Sequence, residues 1–487
     1  MKKTVFLTGA TGNMGWQGLQ ELLKKSDRFH IRILARPSKK NRKKLAPYLD
    51  NPDLSIIWGD LLDPESIRKG VAGADFVLHV GGMVSPAADY FPEKTLRTNV
   101  ESARLIVNSI LEQENADEIR LVYIGSVAQY GSRMGELLWG RCGDPVRASV
   151  YDMYSVSKCM AEKIICDSGL KHWVSLRQSG ILYGGILKAV NPTAFHVPVR
   201  GGLEWATIED SGRLLANVVE DDVPEEFWNR FYNISSGPEY RMTNYEFESR
   251  MLAALGLPGP EKVFKPEWFA TRNFHGMWYE DADELEKYLH FRENVPVDEY
   301  FVRLKKGLPW FYSLAFLAPA WAVRMFMKPY AFEKGMGTQD WVKNDPGKLA
   351  AYYGSLEEYR SIRSWAQMRP GYVEKDLAKA SADGEALVLD HGYDESVDIH
   401  CLDTAALEAA AAFRGGRFLG PSDPATAGES GAWTQGALFE WECEHGHRFS
   451  SSLEYVLLGG GWCPECGYLV EEPYKPGANR FLAQILR

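Results

Sequence analysis

Residues 8–15 read TGATGNMG and decide the fold class, because they lie between an apolar run at 4–8 and a helical pattern from Trp16. Glycines in a strand-to-helix turn let backbone N–H groups approach a pyrophosphate at the helix N-terminus. The glycine spacing is three and three rather than the usual two and three, but its place after the first strand indicates a dinucleotide site. The residues predicted to contact the dinucleotide here are Gly9, Thr11, Gly12, Asn13, Met14 and Gly15.

The alternation of strand-like and helix-like patterns over the next 170 residues extends this prediction to a whole domain. Short apolar runs alternate with helical patterns, as expected for a parallel sheet with helices on both faces. The predicted strands are Thr4–Thr8, Ile31–Ala35, Leu54–Trp58, Phe76–Val80, Leu121–Gly125 and Trp173–Arg177, and the predicted helices are Trp16–Lys25, Pro64–Val71, Pro92–Glu112 and Asp152–Ser168. We therefore predict an α/β protein with a Rossmann-type, doubly wound parallel sheet.

Four regions are predicted along the chain. Residues 1–180 form the dinucleotide-binding domain, whose late strands can return from the following segment, and residues 181–334 form a smaller, aromatic-rich α/β substrate lobe. Residues 335–435 are an extension of unknown role that ends in a Ser/Pro/Gly/Ala-rich linker, with Asp423, Pro424, Gly428 and Gly431. Residues 436–487 hold a small metal-binding module.

The end of the second predicted strand indicates which dinucleotide binds. NAD sites place an acidic residue there for the ribose 2′-OH, whereas this chain has Arg36, followed by several lysines and arginines. A guanidinium suits a 2′-phosphate, so NADP is favoured over NAD, and a solvated basic loop is the alternative. Asp60 and Leu61, after the third strand, are placed to meet the adenine.

The motif Tyr154-Ser155-Val156-Ser157-Lys158 predicts acid–base chemistry. A spacing of four puts Tyr154 and Lys158 on one helix face, one turn apart. An ammonium beside a phenol is expected to lower the Tyr pKa from about 10. Such a Tyr can pass a proton to or from a carbonyl or hydroxyl oxygen. Ser126 ends the apolar run before it.

Seven motifs in order resemble the extended short-chain dehydrogenase/reductase family, which includes NAD-dependent epimerases and dehydratases. They are TGATGNMG (8–15), GDLLD (59–63), HVGG (79–82), TNVES (98–102), YIGSVAQYG (123–131), YSVSK (154–158) and LRQSGILYGG (176–185). The resemblance covers roughly residues 1–300. It implies that Tyr154 is the catalytic acid/base, that Lys158 tunes it and binds the nicotinamide ribose, and that Ser126 holds the substrate oxygen. It also implies an active-site role for Asn99 and cofactor contacts for Gly81 and Ser179.

Departures from the family pattern narrow the predicted chemistry. The dehydratases carry Asp-Glu after the catalytic Ser/Thr, where this chain has Val127-Ala128. Sugar-nucleotide epimerases usually carry an Asn after the late strand, where this chain has Gln178-Ser179-Gly180. Arg36, Lys43 and the LRQSG stretch resemble the reductase branch of the family, and this resemblance implies a carbonyl/hydroxyl oxidoreductase that acts on C=O or on an enone of an apolar ring substrate. An NAD-dependent epimerase and a non-catalytic cofactor-sensing or scaffold protein are the alternatives.

The C-terminal region carries a pattern typical of a zinc site. Cys443-Glu-His-Gly-His447 precedes Cys463-Pro-Glu-Cys466, and tetrahedral Zn²⁺ takes four such ligands. Cys443, His447, Cys463 and Cys466 are the predicted set, with His445 as a substitute for His447. A closed four-ligand site predicts a structural Zn²⁺ in a module that resembles a treble clef or zinc ribbon. A redox dithiol and unligated cysteines are the alternatives.

Composition and charge set the expected partners. The net charge is −10, and the residues from Gly335 onward hold 13 Lys/Arg against 23 Asp/Glu, which argues against nucleic-acid binding. Phe311–Met327 is apolar but contains Pro319 and Arg324, so we expect a buried helix or pocket wall, with interfacial membrane contact as the alternative. Seven scattered cysteines and the absence of a signal-peptide pattern predict a cytoplasmic protein. By resemblance, the helices near 92–112 and 152–168 predict a homodimer.

Overall fold

The computed structural model describes residues 2–188, 190–368, 388–424, 432–471, 473, 475 and 477–486. Within this part of the chain, seven parallel strands form one sheet in the order β7-β6-β5-β4-β1-β2-β3. The strands are β1 Lys3–Thr8, β2 Phe29–Ala35, β3 Leu54–Trp58, β4 Phe76–His79, β5 Arg120–Ser126, β6 His172–Gln178 and β7 Arg230–Ile234. The order reverses between β1 and β4, which is where a doubly wound sheet opens a crevice at its carboxyl edge.

Two layers of helices cover the sheet. The elements used below are α1 Asn13–Leu23, α2 Pro64–Val71, α3 Pro92–Leu111, α4 Met153–Cys166, α5 Ile208–Asn217 and α6 Ala282–Leu289. Helices α1, α5 and α6 pack on one face, and α2, α3 and α4 pack on the other. Each buries a stripe of aliphatic side chains, such as Leu19 and Leu22 in α1 or Ala161 and Ile165 in α4.

The second lobe is built from short elements around aromatic clusters. Its strand pairs are Trp139–Gly140 with Trp278–Tyr279, Ile181–Leu182 with Ala206–Thr207, and Gly202–Glu204 with Arg241–Thr243. Its helices are Thr193–His196, Asn244–Ala254, Pro260–Val263, Val297–Lys306, Ala320–Ala331, Thr338–Asn344, Pro346–Tyr353, Leu356–Ser361 and Trp365–Met368. The Phe195 ring packs edge-to-face on Phe264, Trp268 and Phe269, with centroids 5.2–5.7 Å apart.

The C-terminal region forms a small antiparallel sheet, β8 Arg417–Pro421, β9 Leu438–Glu442 and β10 Arg448–Ser452. Helices Thr404–Phe413, Pro464–Gly467 and Arg480–Ala483 and a π-helical turn at Glu454–Leu458 accompany it. Its core, with Trp441 and Leu457, is continuous with the core beneath α4. Asp423 and Pro424 of the predicted linker are described, whereas Gly428 and Gly431 lie outside the described residues.

The predicted fold class is confirmed, and each of the six predicted strands lies within two residues of its observed position. Helix α1 begins at Asn13, three residues before the predicted start, so the end of the glycine motif forms its first turn. The expectation of a buried Phe311–Met327 helix is wrong. Residues 310–317 form a 3₁₀ helix and Ala320–Ala331 an α-helix, and most of their large apolar side chains are exposed.

Candidate active site

The glycine loop joins the ends of β1 and β4 at close range. Gly9 has φ +73°, and a Cβ on it would lie 2.7 Å from Gly81 N. A Cβ on Gly15 would lie 2.3 Å from Gly9 O, so α1 can approach the loop only without a side chain there. Thr8 Oγ1 accepts a hydrogen bond from Gly81 N at 2.9 Å. The two glycine stretches therefore form one edge of the crevice.

Tyr154 and Lys158 lie in the first two turns of α4, on the side of the helix that faces β5. Lys158 is buried, and its ammonium donates to Ile124 O at 2.8 Å and lies 5.0 Å from the centre of the Tyr123 ring. Burial lowers the pKa of Lys158 to about 8. The pair shares one helix face, as its spacing predicts.

The pKa of Tyr154 contradicts the expectation from the sequence. Burial, helped by the nearby Asp152 and Asp89 carboxylates, raises the pKa to about 12, although a hydrogen bond with Ser126 lowers it. Because the Lys158 ammonium is directed at a backbone carbonyl, it does not counter the effect of burial. The phenol is thus held in its protonated form.

Ser126 ends β5 and is fixed by a chain of buried hydrogen bonds. Its hydroxyl accepts from Ala128 N at 3.2 Å, and its own N–H donates to Gln129 Oε1 at 2.8 Å. The Gln129 amide donates to Glu162 Oε1, on α4, at 2.7 Å. The strand end and the helix that carries Tyr154 are therefore held in one geometry.

Asn99, on α3, is buried and its side chain is used within the protein. Its Oδ1 accepts from Met83 N at 2.7 Å, and its Nδ2 donates to Met83 O at 3.0 Å and to Ser157 Oγ at 2.9 Å. These bonds tie the segment after β4 to α4. Asn99 therefore positions the elements around the crevice.

A polar cluster near Tyr154 was missed by sequence reasoning. His275 Nδ1 lies 3.0 Å from Asp152 Oδ2, and Asp152 Oδ1 caps α4 by accepting from Ser155 N at 2.9 Å. Burial, with repulsion from Asp152, raises the pKa of Asp89 to about 6, and the His275 and Lys348 charges oppose this. His275 and Lys348 are 123 and 196 residues from Asp152 along the chain, so no local pattern joins them.

Gln178 is a second residue whose role sequence reasoning missed, although its position was noted as a departure from the family pattern. It ends β6 directly opposite Ser126 in the parallel register. The side chain is buried, and neither its Oε1 nor its Nε2 has a hydrogen-bond partner among the described residues. A buried amide without partners is costly, which makes it a candidate for ligand binding.

The other predicted cofactor residues are distributed around the glycine loop. Leu61 packs against Gly81, and Asp60 is exposed, with its carboxylate accepting from Leu62 N at 3.0 Å. Arg36 is exposed at the end of β2. Ser179 lies after β6, and its hydroxyl donates to Gly180 O at 3.4 Å.

Lys44 is a basic residue at the glycine loop that the predicted set lacks. Its ammonium donates to Thr11 O at 3.1 Å and lies 3.9 Å from the centre of the Trp16 ring. It therefore adds a positive charge beside the predicted dinucleotide loop.

The four predicted metal ligands converge. The ligand atoms of Cys443, His447, Cys463 and Cys466 all lie within 4.8 Å of one another. The Cys443 and Cys466 sulfurs are 3.8 Å apart, and His447 Nδ1 lies 3.6 Å from the Cys463 sulfur and 3.4 Å from the Cys466 sulfur. A hydrogen bond from Cys466 lowers the pKa of Cys463 to about 5. His445 is not part of this cluster.

Residues 5–177 match the sequence model of the NAD dependent epimerase/dehydratase family. This match covers about a third of the chain, the part that carries the glycine loop, Ser126, Tyr154 and Lys158. It supports the resemblance that the motifs indicate for the N-terminal region.

Curated relatives match parts of the chain. A UDP-glucose 4-epimerase from Rickettsia felis is 31% identical over 123 residues, which are 24% of this chain and 36% of the relative. The chain thus spans only about a third of the length of that epimerase. The low-salt glycan biosynthesis protein Agl12 from Haloferax volcanii is 27% identical over 274 residues, 52% of this chain and 82% of the relative.

Among solved structures, a dTDP-glucose 4,6-dehydratase from Bacillus anthracis in complex with NAD aligns with a TM-score of 0.50 at 15% identity. The alignment covers 62% of this chain and 96% of that one. At this identity the likeness supports the fold alone.

Proposed function

We propose that this protein is an NAD(P)H-dependent oxidoreductase that transfers a hydride to a carbonyl, or from the matching alcohol, of a small and mostly apolar ring substrate. An enone, in which the conjugated C=C bond accepts the hydride, is included in this substrate class. The observation that carries the proposal is the protonated Tyr154 phenol, hydrogen-bonded with Ser126 and one helical turn from the Lys158 ammonium. The nicotinamide, when bound, supplies or accepts the hydride.

In this proposal Ser126 donates to the substrate oxygen and Tyr154 gives it a proton. The phenol, with a pKa of about 12, is protonated near neutral pH and so carries a proton that it can give to the substrate oxygen. Lys158, whose ammonium donates to Ile124 O, is proposed to bind the nicotinamide ribose beside the phenol.

The glycine loop is the proposed pyrophosphate site. No side chain caps the start of α1, so its first backbone N–H groups are suited to phosphate oxygens. Arg36 directly follows β2, where NAD enzymes carry an acid, and Lys44 adds a second cation beside Thr11 of the loop, so NADP is favoured. Asp60 and Leu61 would flank the adenine.

A sugar-nucleotide epimerase that retains NAD is the second candidate, and the epimerase relatives favour it. Epimerases return the hydride to the same substrate, so they consume no external cofactor. The polar cluster of Asp89, Asp152 and His275 is compatible with a hydroxylated substrate. A non-catalytic protein is disfavoured because Ser126, Tyr154 and Lys158 are all present.

The test is a turnover assay of the full chain against a panel of cyclic ketones and enones, with NADPH and NADH side by side. We expect consumption of external NADPH that exceeds that of NADH. Tyr154→Phe should lower kcat by at least a hundredfold while cofactor affinity stays nearly unchanged. Tyr288→Phe, at a half-buried tyrosine of α6 that packs on Phe227 and Tyr232, is the matched control.

Two outcomes would overturn the assignment. Full activity of Tyr154→Phe would remove this residue from the mechanism. Tightly bound NAD that co-purifies, with conversion of UDP-glucose to UDP-galactose and no use of external cofactor, would establish the epimerase instead.

We also propose a structural Zn²⁺ at Cys443, His447, Cys463 and Cys466. Tetrahedral Zn²⁺ with Zn–S bonds of about 2.3 Å and Zn–N bonds of about 2.0 Å requires S–S separations of about 3.8 Å and S–N separations of about 3.5 Å. The separations of 3.8, 3.6 and 3.4 Å fit these values. All four positions are taken by protein atoms, which favours a structural role.

A further inference from the structure

Residues 302–334, here called the apolar segment, expose an unusual amount of large apolar surface. The exposed fractions of Trp310, Leu317 and Trp321 are 77%, 67% and 64%. Phe311, Phe316 and Phe326 are also more than half exposed. Scattered exposed apolar residues are normal in proteins, but a contiguous run of aromatic side chains marks an interaction surface.

The apolar segment is held on the lobe by only part of its surface. On helix Ala320–Ala331, Met327 and Ala331 are buried in the lobe core, beside Phe264 and Trp268. Trp321, Met325 and Phe326 lie on the rest of the helix and face solvent. The helix therefore has two apolar sides. One side packs on the lobe core, and the other is mostly exposed, so packing against the described residues does not explain its apolar side chains.

Charge distinguishes this segment from the rest of the chain. Residues 302–334 contain six Lys/Arg and one Asp/Glu, a net charge of +5 in a chain whose total is −10. Lys305 and Lys306 precede the aromatic run, and Arg324 and Lys328 lie within it. Tryptophan, phenylalanine and leucine next to lysine and arginine are the side chains that settle at a membrane–water interface with anionic lipids.

The apolar segment also adjoins the entrance to the candidate active site. Tyr90 donates from its hydroxyl to the Glu333 carboxylate at the end of the segment. Tyr90 belongs to the stretch that runs from Gly81 past Asp89, and its neighbour Phe91 is 58% exposed. This hydrogen bond places the C-terminal end of the apolar segment beside the stretch that carries Asp89.

We propose that the apolar segment docks on the surface of an anionic phospholipid bilayer, with its aromatic side chains in the interfacial layer. No helix among the described residues is long and apolar enough to cross a membrane, and surface docking needs none. Docking brings the crevice to the lipid surface, from which an apolar substrate enters. The substrate route rests on the proposed function, whereas the docking itself does not.

The test is co-sedimentation of the full chain with vesicles of phosphatidylcholine and phosphatidylglycerol at 3:1, and with phosphatidylcholine alone. We expect binding to the anionic vesicles that weakens with added salt and is at least fivefold weaker without phosphatidylglycerol. The triple variant Trp310→Ser, Leu317→Ser, Trp321→Ser should lose at least tenfold in binding. Leu49→Ser with Leu356→Ser, which removes two exposed leucines elsewhere, should bind as wild type.

A charge variant keeps the test independent of the folding of the triple variant. Lys305→Gln, Lys306→Gln, Lys328→Gln leaves the aromatic side chains in place and should abolish the preference for phosphatidylglycerol. Wild type that stays in the supernatant with anionic vesicles overturns the proposal. So does a dimer, seen by light scattering, that the triple variant disrupts while vesicle binding is absent. Since sedimentation does not use turnover, its failure leaves the proposed reaction standing.

Discussion

Gln178 is the residue whose environment is hardest to explain by stability. A buried amide without hydrogen bonds costs about 1–3 kcal/mol, so an isolated protein gains nothing from it. Its position opposite Ser126 places it at the carboxyl edge of the sheet, beside the residue proposed to hold the substrate oxygen. We infer that its amide binds the substrate or the nicotinamide carboxamide.

Replacement of Gln178 by Met separates a ligand-binding role of this residue from a structural one. We expect Gln178→Met to keep or slightly raise the free energy of unfolding, because the variant buries no unpaired amide. Substrate KM or cofactor Kd should rise about tenfold, as expected when a ligand loses one hydrogen bond in a closed site. Urea denaturation and steady-state kinetics measure the two effects.

Gln129→Met is the matched control. Gln129 is equally buried, but its amide bonds both Ser126 N and Glu162, so its loss should destabilise the fold by about 1–3 kcal/mol. If Gln178→Met destabilises as much as Gln129→Met and leaves KM and Kd unchanged, Gln178 has only a structural role.

The sequence predicted which residues meet at this site better than it predicted their chemistry. A spacing of four was enough to place Tyr154 and Lys158 on one helix face, because helix geometry is local. The pKa of Tyr154 was predicted in the wrong direction, because it depends on burial and on the Ile124 carbonyl that takes the ammonium. Burial and the contact with Ile124 arise from tertiary structure, so a short stretch of sequence does not reveal them.

At the level of elements, the Cys/His cluster and helix α4 are connected through one loop. Arg147 is buried and donates to the carbonyls of Cys466 and Leu469, each at 2.5 Å. Tyr151 N donates to Val470 O at 2.7 Å, one residue before the Asp152 cap of α4. Cys466 is a proposed metal ligand, so a bound metal would fix the carbonyls that contact the start of α4.

Loss of the metal should therefore also lower activity at the candidate active site. We expect Cys463→Ser to lower the bound zinc, the thermal midpoint by several degrees, and turnover severalfold. Cys401→Ser, at an exposed cysteine outside the cluster, should change none of these. Elemental analysis, thermal unfolding and the turnover assay measure the three quantities. A metal-free protein with wild-type stability and turnover would contradict both the site and the coupling.

The elements themselves were predictable to different degrees. Each of the six predicted strands carries an apolar run and lies between helical patterns, so periodicity located it. β7 was missed because Arg230–Ile234 lies in an irregular, aromatic-rich stretch, 52 residues after the end of β6. The Cys/His spacing identified the ligands, but Arg147 is 319 residues from Cys466, and its contact follows from the folded chain alone.

Over the whole molecule, one buried ion pair joins three layers. Arg177 on β6 and Glu162 on α4 are fully buried and 2.7 Å apart. Arg177 also donates to Gly459 O, in the C-terminal region, at 2.7 Å. The sheet, helix α4 and the C-terminal region thus share one charged group. We infer that they unfold together.

Removal of the Arg177 charge tests this cooperativity. Arg177→Met leaves the Glu162 carboxylate unpaired in the core, which costs about 3–5 kcal/mol. We expect the double variant Arg177→Met, Glu162→Leu to recover only part of that loss, because it leaves no buried charge behind but removes the acceptor of the buried Gln129 amide and Ser175 hydroxyl. Circular dichroism follows the whole chain in urea, and tryptophan fluorescence follows the aromatic clusters. Within each protein, wild type or variant, the two probes should give one transition with the same midpoint. That midpoint should be lower in Arg177→Met than in the wild type. Two separated transitions, or a cost of Arg177→Met below about 1 kcal/mol, would mean that the C-terminal region folds independently of the sheet.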